Sequence, residues 1–177
     1  MLKNILTWGL IAGLLAGVPL SIVTLTAGQG VPEHGMLIGY TIMLVALSTI
    51  FVAVKRYRDG ELGGVIRFWP AFALGLGISL VAGLLYVLAW ETSTAIAHAD
   101  FATSYANAMI AQQKAAGVSG AKLAQFTGEM EQFKVQYANP LFRWPMTFIE
   151  IFPVGVLVSL FAAALLRNPR FMAARRA

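Results

Sequence analysis

Five ionisable side chains lie within or beside the apolar segments of this sequence, and they are its best candidates for chemistry. They are Glu33, His34, Glu91, Arg143 and Glu150, the last of which interrupts an apolar stretch. A charged group at the centre of a bilayer costs ~2.5–3.5 kcal/mol on insertion scales, so such residues usually face inward and have a function. If the apolar segments bundle, the five could form one proton or cation site, in which like charges raise the pKa of a carboxyl. A solute pocket capped by 91–145 is a further possibility. We favour ion pairing instead, of Arg143 with Glu91 or Glu150, which would clamp the insert at 91–145 to the bundle.

Other kinds of site are not indicated. The sequence has no Cys and two His, which excludes thiol catalysis and disulfides and leaves too few ligands for a His-based metal centre. It contains no nucleophile elbow, zincin motif, phosphate-binding loop or dinucleotide-binding fingerprint. We therefore predict no catalytic residues, no metal, no cofactor and no enzymatic activity.

The composition is that of a membrane protein. Hydrophobic residues make up 58% of the 177 positions, the mean hydropathy is +0.72 and 12% of the residues are charged, whereas soluble domains are about 25% charged. A span needs ~20 mostly apolar residues, and it must be a helix because lipid cannot hydrogen-bond an open strand. The sequence predicts one all-α membrane domain over 1–177 with four transmembrane helices, at about 5–27, 36–54, 68–90 and 146–166.

The distribution of Lys and Arg predicts the orientation. Nine of the 13 basic residues lie at the N-terminus, between the second and third spans, and in the C-terminal tail. The positive-inside rule places both termini and that middle loop in the cytoplasm. The basic residues lie singly beside span ends, which favours contact with anionic lipid headgroups over nucleic-acid binding. In the middle loop, 55–58 predicts a helix end that contacts headgroups, and Asp59-Gly60 predicts a turn.

Residues 91–145 form the long connection between the third and fourth spans and carry a helical pattern of their own. Phe101, Tyr105 and Met109 recur at helical spacing, and 123–137 carries a second apolar stripe after a break at 117–120. This pattern predicts a helical hairpin on the extracytoplasmic side of the membrane. Its apolar stripes have three possible neighbours: each other, the membrane interface or bundle rim, and a protein partner.

Small residues at four-residue spacing predict close contacts between the helices, since they let backbones approach each other in lipid. They occur in the first, third and fourth spans: Gly9, Gly13, Gly17, Gly75, Ser79, Gly83, Gly155 and Ser159. We predict packing within the chain. The alternative is a homodimer face on the two overlapping GxxxG units of the first span.

Several stretches of the sequence carry a family resemblance. They are 34–40, 55–59 with 63–64, 90–91, 100–101, 139–143 and 150–155, in the last of which Glu150 precedes Phe-Pro by two residues inside a span. Together they resemble a bacterial membrane family known as domain of unknown function 4199, over nearly the whole chain. The resemblance implies a small multi-pass protein of the bacterial inner membrane. It implies no activity and no catalytic residues, although Glu91, Arg143 and Glu150 lie on the family-like stretches.

Two functions from different classes are compatible with these features. The first is a non-enzymatic accessory or scaffold protein of the inner membrane, whose hairpin meets a membrane-protein partner. The second is a homodimeric transporter that couples a proton or cation to a small solute through Glu91, Arg143 and Glu150, with 9–17 as the dimer seam. A packed bundle with an exposed apolar face on the insert favours the first function. A water-filled cavity that reaches Glu150 favours the second.

Overall fold

The computed structural model describes residues 1–27, 34–98 and 100–173, and within those ranges the chain forms six helices. They are α1 (Leu2–Ala27), α2 (Gly35–Glu61), α3 (Phe68–Ile96), α4 (Phe101–Ala115), α5 (Gly120–Tyr137) and α6 (Pro140–Leu166). Four of them, α1, α2, α3 and α6, are long and apolar enough to span a membrane. The described part of the chain therefore has the all-helical, multi-pass character that the composition predicts.

On the side of the insert, α3 and α6 extend beyond the apolar stretches that predicted them. α6 begins at Pro140, whose missing N–H is not needed in a first helical turn. Asn139 caps this helix, because its side chain accepts a hydrogen bond from the backbone N–H of Leu141 at 3.0 Å. The extensions place Glu91 and Arg143 on helical backbone, which fixes where their side chains start. We call the end of the bundle that adjoins α4 and α5 the insert end.

At the opposite end, the predicted Asp59-Gly60 turn is wrong. Both residues lie within α2, which continues to Glu61. The chain reverses at Gly63 and Gly64, whose φ angles are 64° and 92°, a region that only glycine enters readily. The charged residues after the apolar stretch continue the helical hydrogen bonding of α2. A prediction from composition alone therefore ended this helix too early.

The glycines of α1 pack against α3 of the same chain. A Cβ added at Gly9 would lie 2.5 Å from the Val81 side chain, and one at Gly13 would lie 2.6 Å from Leu85. Gly17 meets Ala89 in the same way, at 2.9 Å. The small residues thus let two backbones approach closely, as predicted. This face is occupied within the chain, so its glycines are not free to form the homodimer seam considered at 9–17.

α3 and α6 pack through a reciprocal pair of Gly-x-x-x-Ser segments. The Ser159 hydroxyl lies where a Cβ of Gly75 would be, at 2.6 Å, and the Ser79 hydroxyl lies 2.5 Å from a Cβ built on Gly155. Each hydroxyl donates to the carbonyl four residues earlier in its own helix, and the two oxygens are 3.4 Å apart. Gly83 completes the interface by admitting the ring of Phe148. α3 therefore lies between α1 and α6 and contacts both along their small-residue stripes.

The insert contains α4 and α5, which pack against each other, so this segment is helical as predicted. Asp100 caps α4 by accepting a hydrogen bond from the backbone N–H of Thr103 at 3.0 Å, and this bond lowers the pKa of Asp100 below its usual value. The two predicted apolar stripes meet each other, with the rings of Tyr105 and Phe133 5.6 Å apart. The extracytoplasmic placement of the insert stays a prediction.

Candidate functional site

The insert end of the bundle is held together by an ion pair between α3 and α6, which we call the clamp. Arg143 donates from Nε to Glu91 Oε1 at 2.6 Å and from Nη2 to Oε2 at 2.5 Å. Both side chains are largely shielded, with 22% and 23% of their surface exposed. A two-pronged arrangement of this kind is among the stronger charge-assisted hydrogen bonds and fixes the relative rotation of its partners. Arg143 extends toward the N-terminus of its helix, as helical side chains do, and so reaches the end of α3.

The same guanidinium also binds the end of the insert. Its Nη1 donates to the backbone carbonyl of Tyr137 at 3.2 Å, and its centre lies 5.7 Å from the middle of the Tyr137 ring. The Tyr137 hydroxyl accepts a hydrogen bond from Trp90 Nε1 on α3 at 2.9 Å. Arg143 therefore joins three elements, namely α3, α6 and the last residue of α5.

A chain of aromatic rings continues from this contact into the insert. Phe101, the first residue of α4, lies 4.9 Å from the Trp90 ring and 5.5 Å from that of Tyr137. Phe133 follows at 5.3 Å from Tyr137. Burial among these rings raises the pKa of the Tyr137 hydroxyl to about 12, so it stays protonated across the physiological range. The sequence pattern predicted Phe101, Phe133 and Tyr137 as parts of helical stripes, but it did not assign Trp90 or Tyr137 to the clamp.

An open cleft of about 540 Å³ lies beside the clamp, between the bundle and the insert. Its lining includes Glu91, Arg143, Glu131 and Lys134. Both cations are engaged, Arg143 with Glu91 and Lys134 with Glu131 at 2.7 Å. Asp100 lines the cleft as well, so three carboxylates face two cations there. The Arg143–Glu91 pair joins α3 to α6, whereas the Lys134–Glu131 pair lies within α5.

The structure brings together two of the five predicted site residues, Glu91 and Arg143. Glu150 lies on the same helix as Arg143, but it is exposed and forms no ion pair with any residue in the described ranges. His34 is the residue before α2 and is exposed. Glu33 lies outside the described residues. The cluster of five is therefore not formed by the residues that can be placed.

The opposite end of the bundle holds a second arginine, which the sequence did not single out. The side chain of Arg58 is completely buried and pairs with Asp59 at 2.6 Å. Its two terminal nitrogens donate to the carbonyls of Phe171 and Met172, at 2.9 and 2.7 Å, and one lies 3.4 Å from the carbonyl of Leu166. The prediction of headgroup contact is therefore wrong for Arg58. A cation at this position also suits the negative end of the α6 dipole.

These features define a class of protein: a multi-pass helical membrane protein with a helical insert joined to the end of its bundle. Within that class, the chain belongs to the family described as Protein of unknown function (DUF4199), whose match covers residues 7–168. The resemblance noted in the sequence is thereby confirmed. Comparisons with curated proteins and with solved structures found no match. The family match includes Glu91, Arg143 and Glu150 but assigns them no role, so a function has to be inferred from the geometry.

Proposed function

We propose that this chain is a non-enzymatic accessory or scaffold protein of the bacterial inner membrane, which presents its insert to a partner on the extracytoplasmic side. The observation that carries the proposal is the clamp. Arg143 binds Glu91 with two hydrogen bonds and the Tyr137 carbonyl with a third. Arg143, together with Trp90 and its contacts to Tyr137 and Phe101, thus holds the insert against the bundle, which is what a protein that displays a docking element requires.

The surface of the insert presents less apolar area than the exposed face expected of an accessory protein. Its aromatic side chains are half-buried between α4, α5 and α3, so they support the insert from inside. Among the large apolar side chains described in α4 and α5, only Val135 is strongly exposed, at 76%. We therefore place the partner contact on the face of α5 that carries Val135. Phe126 and Phe133 are half-buried and less accessible.

The transporter alternative finds less support in the geometry. The glycine face that would form its dimer seam packs on α3. Arg143 is bound to Glu91, so it does not form a three-residue cluster with Glu150.

The positive-inside rule supports a topology with both termini in the cytoplasm. That topology would put the completely buried Arg58 at the cytoplasmic end.

The proposal is tested by photocrosslinking in intact cells with a photoreactive amino acid at position 135. A matched control carries it at Leu88, an exposed position on the span α3. We expect a discrete protein adduct from position 135, only lipid adducts from position 88, and loss of the protein adduct when Arg143→Met releases the insert. Adducts with lipid and with this chain alone at position 135 would overturn the scaffold function.

A single cysteine at exposed position 122, in a chain that has none, tests the topology, because a membrane-impermeant thiol reagent should label it from outside the cell.

A further inference from the structure

Glu150 is an exposed carboxylate within a membrane-spanning helix. It lies on α6 seven residues beyond Arg143, which is about 10 Å further along the axis at 1.5 Å per residue. The residues that pack on α3, Gly155 and Ser159, lie on a different face of the helix. Leu157 and Phe161 follow Glu150 at helical spacing on one stripe and are 55% and 68% exposed. We call these three residues the Glu150 stripe.

The neighbouring helix leaves this stripe uncovered at the insert end. The first turns of α2 are exposed, with Met36 at 79% and Leu37 at 70%, and no atom lies within 4 Å of a Cβ built on Gly39. α2 enters the core only at Met43, which is 4% exposed. The Glu150 carboxylate is therefore open to whatever lies beside the bundle.

The chain itself offers no basic residue at the depth of Glu150. The four apolar stretches at 5–27, 36–54, 68–90 and 146–166 contain no Lys or Arg. Arg143, about 10 Å nearer the membrane boundary, is held by Glu91. A second copy in the same orientation would bring only the same residues to the same depths, so it would not neutralise Glu150. An unpaired charge in the hydrocarbon is costly, and a cation on another protein would be a complementary group for it.

We propose that the Glu150 stripe is the docking site for a transmembrane helix of a different protein that carries one Lys or Arg at the depth of Glu150. This proposal rests on the accessory function and names the chemistry of a partner inside the membrane. The cation of the partner pairs with Glu150, and apolar side chains of the partner cover Leu157 and Phe161. Pairing in lipid gives the contact its specificity, because the apolar remainder of the stripe would pack on lipid or on protein alike.

The test uses the full chain in liposomes and a set of synthetic transmembrane peptides. Each peptide is a Leu/Ala helix of about 20 residues with a single Lys, which is moved one position at a time from one end to the centre; an all-apolar peptide is the control. Energy transfer from a dye on a cysteine introduced at exposed position 121 to a dye on the peptide reports binding. We expect at least tenfold tighter binding when the Lys lies at the depth of Glu150 than in the all-apolar peptide. Glu150→Asp should keep this preference, and Glu150→Gln should remove it.

Three outcomes would overturn the docking proposal. They are equal binding of all peptides, a depth preference that survives Glu150→Gln, and energy transfer between two copies of the chain that depends on Glu150. Unfolding of Glu150→Gln is ruled out by its thermal transition and by the adduct at position 135, which does not involve the stripe. If the peptides fail while that adduct forms, the scaffold function stands and the docking site alone is refuted.

Discussion

Breaking the clamp should both destabilise the protein and loosen the insert. The perturbation is a double-mutant cycle of Glu91→Gln, which preserves the length of the side chain, and Arg143→Met, which keeps an apolar stem and removes the guanidinium. Exposed ion pairs contribute about 0.2–1 kcal/mol, whereas removing one partner of a fully buried pair costs about 3–5 kcal/mol. With 22% and 23% exposure, the clamp lies between these limits and nearer the buried one. We expect about 2–3 kcal/mol for each single variant, since each leaves the other charge unpaired.

The two single variants should differ, and the double variant should cost less than their sum. Arg143→Met also removes the hydrogen bond to the Tyr137 carbonyl and the contact with its ring. That contact adds about 0.5–1 kcal/mol at an exposed site, so Arg143→Met should be the more harmful change. The coupling energy should be about 1.5–2 kcal/mol, because the double variant strands neither charge.

The free energy of unfolding is measured in mixed detergent micelles, and a second assay follows the insert directly. Cysteines introduced at exposed positions 60 and 122 are the only ones in the chain and carry spin labels for a distance measurement across the protein. The parent should give one narrow distance distribution and Arg143→Met a broad one. A coupling energy below about 0.3 kcal/mol, the scatter of independent sites, would refute the reasoning. A loss of stability with an unchanged distance distribution would refute the claim that the clamp orients the insert.

Two further predictions concern packing and helix capping. Gly155→Ala should cost about 1–3 kcal/mol, as overpacking does, because its methyl would lie 2.5 Å from the Ser79 hydroxyl. Adding Ser79→Gly should restore most of the loss. Gly39→Ala, with no neighbour within 4 Å, is the control in the same unfolding assay and should be unchanged or slightly stabilised, because it gains helix propensity without a clash. Asp100→Ala should cost about 1 kcal/mol through loss of the cap. Because the pKa of Asp100 is lowered in the fold, its contribution is complete above the unfolded value of about 3.9 and is lost as the pH falls through the folded value. Asp100→Asn should keep the cap and lack this acid dependence in unfolding measured from pH 2 to 6, and an identical acid dependence in both proteins would contradict the assignment.

The spans could be predicted because a membrane imposes one strong rule, namely a long uncharged stretch. The ends of α3 and α6 could not be predicted by this rule. A helix continues while its backbone groups are hydrogen-bonded, even where polar side chains follow the apolar stretch. The Asn139 cap, and not the first apolar residue, begins α6. The basic residues at 55–58 likewise predicted a headgroup-facing helix end, while the structure continues α2 to Glu61 and buries Arg58.

The partner of Arg143 illustrates what a single sequence leaves open. Glu150 shares a helix with Arg143, and Glu91 is 52 positions away, and the sequence left both open as its partner. Side chains on a helix tilt toward its N-terminus, which carries the guanidinium away from Glu150 and toward the end of α3. Two features thus determine that Arg143 pairs with Glu91: the tilt of its side chain along α6, which a periodicity pattern does not describe, and the contact between α3 and α6. That contact depends on Gly75, Ser79, Gly155 and Ser159, which were predicted as packing residues but without their partners.

One arginine holds each end of α6. Arg58 and Arg143, with their partners Asp59 and Glu91, are most of the charged groups that the bundle shields. Arg143 binds its first turn to α3, where Glu91 offsets the unfavourable position of a cation near the positive end of the helix dipole. Arg58 holds its last turn and the segment that follows. Small residues pack in lipid without a hydrophobic driving force, so these polar contacts fix the position of α6 at both ends. Glu150 takes part in neither contact: the charged groups near the two ends of α6 are paired within the chain, and Glu150 is the one charge inside the four apolar stretches, which is why the docking proposal centres on it.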